Sequence, residues 1–191
     1  AVSTSLSCYF NAAIPAFERL KAEGKIGSWG IGGLGQNKAV IEAINHATPP
    51  EAIQCVINPL NSAGAIGYVD EAYDPNSILE ASKKADIPIL GIRAVQAGAL
   101  TSEMDREPHE SGRDIKDFED YERAEPFRSL AAEWQITPSV LAYRYALSAE
   151  KVSSVILGVK NRTELLESLD AESAGILTLD QINEIDTVLS K

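Results

Sequence analysis

Cysteine is scarce in this chain: Cys8 and Cys55 are the only two among 191 residues. Two such residues make neither a disulfide framework nor the spaced ligand pairs of a zinc site. The expectation is therefore a reducing, cytoplasmic setting and no bound metal. Cys55 lies inside an apolar run and reads as a buried free thiol. Long apolar runs are missing as well. No stretch approaches the roughly 20 residues that a membrane-crossing helix needs, and the opening AVSTSLSCYFNAA lacks the charged start and apolar core of a secretory peptide. Positive charge is in deficit, with 17 Lys and Arg against 28 Asp and Glu for a formal net charge of −11. That balance argues against nucleic acid or an anionic membrane as a partner, because either needs a basic face. An anionic small molecule needs only local positive charge and stays open.

What is present is ordinary for a globular protein: 45% apolar and 24% charged residues, in a length that suits one domain, residues 1–191, with a substantial core. Along the chain, helix and strand signals alternate. Ile14 to Ala22 puts Ile14, Phe17 and Leu20 on one helical face, with Gly24 as a stop. SWGIGG (28–33) reads as a short strand, and Lys38 to Ala47 as a helix closed by Pro49-Pro50. AIQCVINPL (52–60) is a second strand, followed by a loop of about fifteen residues that holds Gly64, Gly67 and Pro75. Asn76 to Ala85 is helical, and IPILGIRAV (87–95) is a third strand.

Met104 to Glu125 is dense in charge and reads as an irregular surface excursion, either a lid or a plain insertion. Helices resume at Pro126 to Gln135 and at Thr137, where Thr137 caps and Pro138 takes the first helical position. The last helix begins at Thr178, with Gln181 completing a capping box and Ile182, Ile185 and Val188 forming its apolar stripe.

Residues 152–169, VSSVILGVKNRTELLESL, deserve separate reading. Val152, Val155, Ile156 and Leu157 have the composition of a strand covered on both faces. Gly158 stops it, and Asn161 with Glu164 three residues on forms an N-terminal capping pair. A helix start just beyond a strand's carboxyl end, flanked by Lys160 and Arg162, can hold a phosphate through amides, dipole and cations. An ordinary strand-to-helix junction with two solvated cations has the same pattern.

Four alternations of helix and strand define an α/β fold with a parallel sheet. Each strand ends in a special residue (Gly32-Gly33, Asn58-Pro59, Arg93, Gly158 with Lys160), and functional loops belong at those ends. Four strands do not close a barrel that needs eight, so this is an open sheet or half of something larger.

The order and spacing of these segments resemble the C-terminal half of an aldo-keto reductase, an NAD(P)H-dependent (β/α)8 TIM-barrel family. FERLKAEGKIGSWGIGGL is similar to the family's helix, GK turn and fifth strand, with Gly32 and Gly33 where Ser-Asn is usual. IQCVINPL is similar to the sixth strand. There Gln54 matches the glutamine that binds the nicotinamide carboxamide, and Asn58 the following asparagine. IPILGIRAVQAGALT resembles the seventh strand and its pyrophosphate loop, with Ile92 in place of a common tyrosine and Arg93 in place of a serine. ILGVKNRTELLES resembles the eighth strand and the helix that grips the adenosine 2′-phosphate. In that segment Glu164 replaces arginine or glutamine and Ser168 replaces asparagine.

The resemblance implies strands 5–8 of the barrel and an oxidoreductase that transfers hydride to a small-molecule carbonyl substrate. It implies NADP as cofactor, with NAD conceivable because a carboxylate at Glu164 disfavours a 2′-phosphate. The residues implied in binding are Gln54 for the carboxamide, Arg93 with the amides around Val95 and Ala97 for the pyrophosphate, and Gly158, Lys160, Arg162, Glu164, Glu167 and Ser168 toward the adenosine. The family's catalytic aspartate, tyrosine, lysine and histidine belong to its first four βα units, and no catalytic residue is assigned here. His46 ends a helix, His109 lies in the charged loop, and Tyr143 and Tyr145 hold helical packing positions. These 191 residues alone are expected to have negligible activity. A non-catalytic half-barrel that binds a nucleotide or a protein partner is the alternative. Its open edges call for self-pairing into a homo-oligomer or docking on a missing N-terminal half.

Overall fold

A computed structural model describes residues 5–66 and 73–190, so Gly67 of the expected long loop lies outside the described residues. Four strands form one parallel sheet in the order β1-β2-β3-β4. They are β1 (Ile31–Gly32), β2 (Ile53–Val56), β3 (Ile89–Ile92) and β4 (Val152–Val155). Each is shorter than the apolar run that predicts it. The surplus apolar residues serve buried loops instead: Ile57, Leu60 and Ala94 lie past the strand ends and are 3–5% exposed. By packing, the chain divides into two units, residues 5–55 with 73–90 and residues 56–66 with 91–190, the division passing through β2 and β3.

In the first unit a continuous helical stretch runs through α1 (Leu6–Cys8), a π-helical turn (Tyr9–Ala13) and α2 (Ile14–Ala22). Only its second half was expected. Gly24, at φ +68°, lets the chain leave α2 where an L side chain is strained. Tyr9, Ile14, Trp29 and Ala43 form the core, and the Phe17 ring stacks on Trp29 at 5.3 Å. The Trp29 indole N–H donates to Glu18 at 2.6 Å, and its amide donates to Glu51 at 3.0 Å. Glu51 also accepts from Lys21 at 2.5 Å, and these two donors hold its carboxyl below the usual range. Val40, Ala43 and Ile44 give α3 (Asn37–Ile44) its buried face. Asp74 caps α4 (Pro75–Lys84) by accepting from the amides of Asn76 and Ser77.

β1 pairs with β2 in parallel register, Ile31 opposite Ile53 and Gly32 opposite Gln54. Cys55 is fully buried, as its setting predicted, and burial pushes its thiol up to about 12.

The second unit holds α5 (Ile115–Arg123), α6 (Glu125–Glu133), α7 (Pro138–Ser148), α8 (Arg162–Ala174) and α9 (Leu179–Leu189). Leu60, Leu100, Phe127, Leu130, Leu141 and Ile185 lie at its centre. Thr137 caps α7 by accepting from the Val140 amide at 3.3 Å, with Pro138 next, as the sequence predicts. The capping box at Thr178 and Gln181 is present at α9.

Two expectations fail. Residues 115–123 are not irregular: they form α5, whose buried positions are Asp117 and Asp120. A search for apolar periodicity passes over such a helix because its inward face is ionic. Nor is β4 covered on both faces. Ser153 and Ser154 are exposed, and Ile156 and Leu157 stand 44% and 39% exposed. β4 ends the strand order, so its β-branched composition does not report burial.

Candidate functional site

The chain turns sharply at the carboxyl end of β3. Arg93 (φ +60°), Gln96 (+45°) and Ala97 (+52°) take left-handed backbone that side-chain-bearing residues rarely adopt, and Gly98 follows at +98°. Such strain persists only where the surroundings fix it. Leu100, fully buried, anchors the exit of this turn, and its amide donates to the Val95 carbonyl at 3.2 Å. Gln96 is also fully buried. Its Oε1 accepts from Arg93 Nε at 2.8 Å, while its Nε2 donates to Asp120 at 2.6 Å.

The inward carboxylates of α5 complete the network. Asp117 accepts from Arg93 Nη2 at 3.0 Å, from Arg106 Nη2 at 2.9 Å and from the Ala65 amide at 3.0 Å. Arg106 Nη1 donates to the Ala97 carbonyl at 2.7 Å, placing a second guanidinium against the turn. Asp120 accepts from the Ser62 hydroxyl at 2.5 Å and from Arg123 at 2.7 Å. Asn58, 2% exposed, uses its whole amide: it donates to the carbonyls of Ser62 and Arg93 and accepts from the amides of Leu60 and Ser62.

Gly64 closes the cluster. At φ +61°, a Cβ there would overlap Asp117 and Gln96 and reach Arg93 Nη2 at 2.5 Å. Buried charges are tolerated only when paired and hydrogen-bonded, and here each carboxylate takes three donors.

A second cationic point lies where β4 gives way to α8. Asn161 caps α8, its side chain accepting from the Glu164 amide at 3.0 Å. Glu164 accepts from the Lys160 amide at 2.8 Å and lies 3.6 Å from the Lys160 ammonium. That ammonium also pairs with Asp105; Asp105 with Glu164 raises the Lys160 pKa, and Lys160 in turn holds the Asp105 carboxyl below its ordinary range. Asp105 and Arg106 are adjacent, so the segment after the β3 turn touches both the turn and the start of α8.

The sequence-derived residues sort as follows. Arg93, Val95 and Ala97 share the β3 turn, while Lys160 and Glu164 share the α8 start. Arg162, first in α8, is exposed. Ser168 bonds within the helix to the Leu165 carbonyl, and Glu167 is half-buried near Tyr143. Gly158 is exposed, a Cβ there would meet nothing within 4 Å, and β4 has already ended at Val155. In the first unit Gln54 is half-buried on β2 beside Gly32.

The remaining candidates are packing groups. His46 stacks on Phe10 at 4.4 Å and accepts from the Thr48 amide. His109 bonds to nearby Ser111. The Tyr145 hydroxyl donates to Asp186, and burial raises its pKa well above the usual value. A cleft of about 510 Å³ beside Phe10, Lys38, Ile41 and His46 holds none of the expected binding residues.

Arg106, Gln96, Asp117 and Asp120 were missed from sequence. The signal available was a pair of carboxylates three residues apart, on one side of a helix. Among the described residues, no group of three or more His, Cys, Asp or Glu is arranged to hold a metal ion, and no helix is long and apolar enough to cross a membrane.

Solved structures share this fold at low sequence identity. The aldo-keto reductase AKR11C1 from Bacillus halodurans, in its holo form, matches with a TM-score of 0.68 at 18% identity, over 97% of this chain and 58% of that one. Its apo form gives 0.71 and 19%, over 98% and 58%. The glycerol dehydrogenase AKR11B4 from Gluconobacter oxydans gives 0.67 and 19%, over 90% and 51%. The chain thus spans between half and three-fifths of the length of these structures. No curated protein matches. The sequence profile of the Aldo/keto reductase family, in contrast, matches residues 3–190, and the chain belongs to that family.

Proposed function

We propose that this chain is the dinucleotide-gripping part of an oxidoreductase of aldo-keto reductase type, corresponding to strands 5–8 of a (β/α)8 barrel and forming one domain over residues 1–191. The observation that carries this reading is the β3 turn, where two guanidiniums, Arg93 and Arg106, are held at one buried carboxylate beside strained backbone. That arrangement fits the pyrophosphate of a nicotinamide dinucleotide: cations fixed in advance cost little further ordering when an anion arrives. The start of α8 fits the adenosine end, with Lys160 and Arg162 beside a helix N-terminus.

When bound, such a cofactor supplies the hydride that reduces a carbonyl. The chain's own part is binding and orientation. Arg93, with the backbone at Val95 and Ala97, takes the pyrophosphate, and Gln54 orients the carboxamide. Gly158, Lys160, Arg162, Glu164, Glu167 and Ser168 frame the adenosine. NADP is the cofactor of this reading. NAD is its alternative, favoured by the Glu164 carboxylate within 3.6 Å of the Lys160 ammonium. The substrate is a small carbonyl compound, acted on in the complete protein with catalytic groups from outside this chain, in the cytoplasm.

A second reading, a half-barrel that binds a nucleotide or a protein partner without catalysis, draws on the exposed leucines Leu165, Leu166 and Leu169 of α8. Either reading accommodates a homo-oligomer or a docked N-terminal half.

Titration of the chain with NADPH and with NADH, followed by Trp fluorescence, tests the proposal. Micromolar binding of either is the expected result. No binding of either at millimolar concentration would overturn it.

A further inference from the structure

We propose that Asp117 is the positioning residue of this site: it holds Arg93 and Arg106 together where the dinucleotide pyrophosphate lands, without touching the ligand itself. The inference rests on the reading above and gives Asp117, the carboxylate at which the two arginines meet, a role of its own.

The argument starts from what α5 would need if it served only to cover a loop. An amphipathic helix docks most simply through leucines, and replacing a buried ion pair by apolar residues of similar size often leaves a protein as stable or more so. α5 does otherwise, burying Asp117 and Asp120 one turn apart. Asp120 also ties separate pieces of chain, to Ser62 and Gln96, but its one cationic partner, Arg123, belongs to α5 itself. Asp117 differs in what it joins: two guanidiniums from outside the helix, Arg93 and Arg106, together with the Ala65 amide.

Two guanidiniums brought together repel each other unless an anion lies between them. Asp117 lies between the two guanidiniums and Asp114 stands 3.8 Å from Arg106 Nε, so the cations are paired and their geometry exists before any ligand arrives. Arg106 is bound on its other side to the Ala97 carbonyl, so Asp117 also braces the turn whose backbone is strained at three positions. Gly64 makes the placement specific, since any side chain there would occupy the space that Asp117, Gln96 and Arg93 share.

The test compares two ligands that differ in the pyrophosphate. NADPH contains it; adenosine 2′-monophosphate does not, and draws only on the start of α8. The wild-type chain, Asp117→Asn and Arg106→Ala are titrated with each, and their thermal midpoints recorded. Arg106 is partly exposed, which keeps the test valid if Asp117→Asn fails to fold.

The expected result is a rise in the NADPH dissociation constant of about tenfold or more in each folded variant. The adenosine 2′-monophosphate constant should stay within about twofold, the scatter of unrelated surface changes. Weakening of both ligands in parallel with a lowered midpoint would show a role in folding alone and overturn the inference. Unchanged NADPH binding in both variants would overturn it as well. If wild type binds adenosine 2′-monophosphate but not NADPH, or binds neither, the dinucleotide reading itself falls and the inference with it.

Discussion

The Gly33 amide donates to the Gln54 carbonyl at 2.6 Å, and a Cβ built on Gly33 would stand 2.6 Å from that same oxygen. The family pattern commonly carries a polar side chain at this position, and here the backbone has closed over the space it would use. Gly33→Asn should therefore destabilise the chain by about 1–3 kcal/mol, the usual cost of overfilling a packed site. Urea denaturation measures it. An unchanged midpoint would show that the strand pair opens freely to admit a side chain.

Tyr9 poses the opposite problem. It is 4% exposed, and its hydroxyl has no hydrogen-bond partner among the described residues. Burial raises its pKa above the usual tyrosine value. An unmet buried hydroxyl costs about 1–3 kcal/mol, so Tyr9→Phe should raise stability by part of that amount. A loss of stability in the variant would reveal a partner for the hydroxyl.

The two thiols should react in sequence. Cys8 is exposed, whereas Cys55 is fully buried with its thiol pushed up to about 12. The thiolate is the reactive form. Ellman's reagent at pH 8 should consume one thiol per native chain and two after denaturation. Two consumed rapidly in the native chain would mean that the β2 core opens readily.

The pairing of Lys160 with Asp105 sets a pH window for the segment after the β3 turn. Lys160 holds the Asp105 carboxyl below its ordinary value, so that contribution is present above about pH 4 and fades as pH falls through the folded pKa. Asp105 in turn raises Lys160, whose contribution is complete below about pH 10 and fades as pH climbs through the raised value. Both groups are exposed, so salt weakens the tie. Amide-exchange protection over residues 101–114 should be higher in wild type than in Asp105→Asn at pH 7, and the difference should shrink as pH falls through the lowered Asp105 pKa. Equal protection at pH 7 would assign the order of this segment to Arg106 alone.

Local rules of sequence carried far in some places and stopped in others. Thr137-Pro138, Asn161 with Glu164, and Thr178 with Gln181 marked helix starts that the structure has, because a cap is settled by residues within one turn. The Lys160 side of the site was legible for the same reason. The β3 turn was legible only in part. Arg93 stood out by position, but its partner Asp117 lies 24 residues downstream, Arg106 reaches that same carboxylate from 11 residues before it, and no local pattern couples the three. The strand at Val152 misled because β-branched residues fit an edge as well as a centre, and composition does not distinguish the two.

A helix seated by carboxylates also answers differently to different solvents. To Asp117, guanidinium chloride offers a free copy of the arginine head group, at molar concentration and with full ionic screening. Urea offers neither competitor nor salt. The apolar centre around Phe127 and Leu141 yields to both agents through the same surface solvation. α5 therefore lets go in guanidinium chloride ahead of that centre, while in urea the two leave together, and a single extrapolated stability will depend on which agent was used.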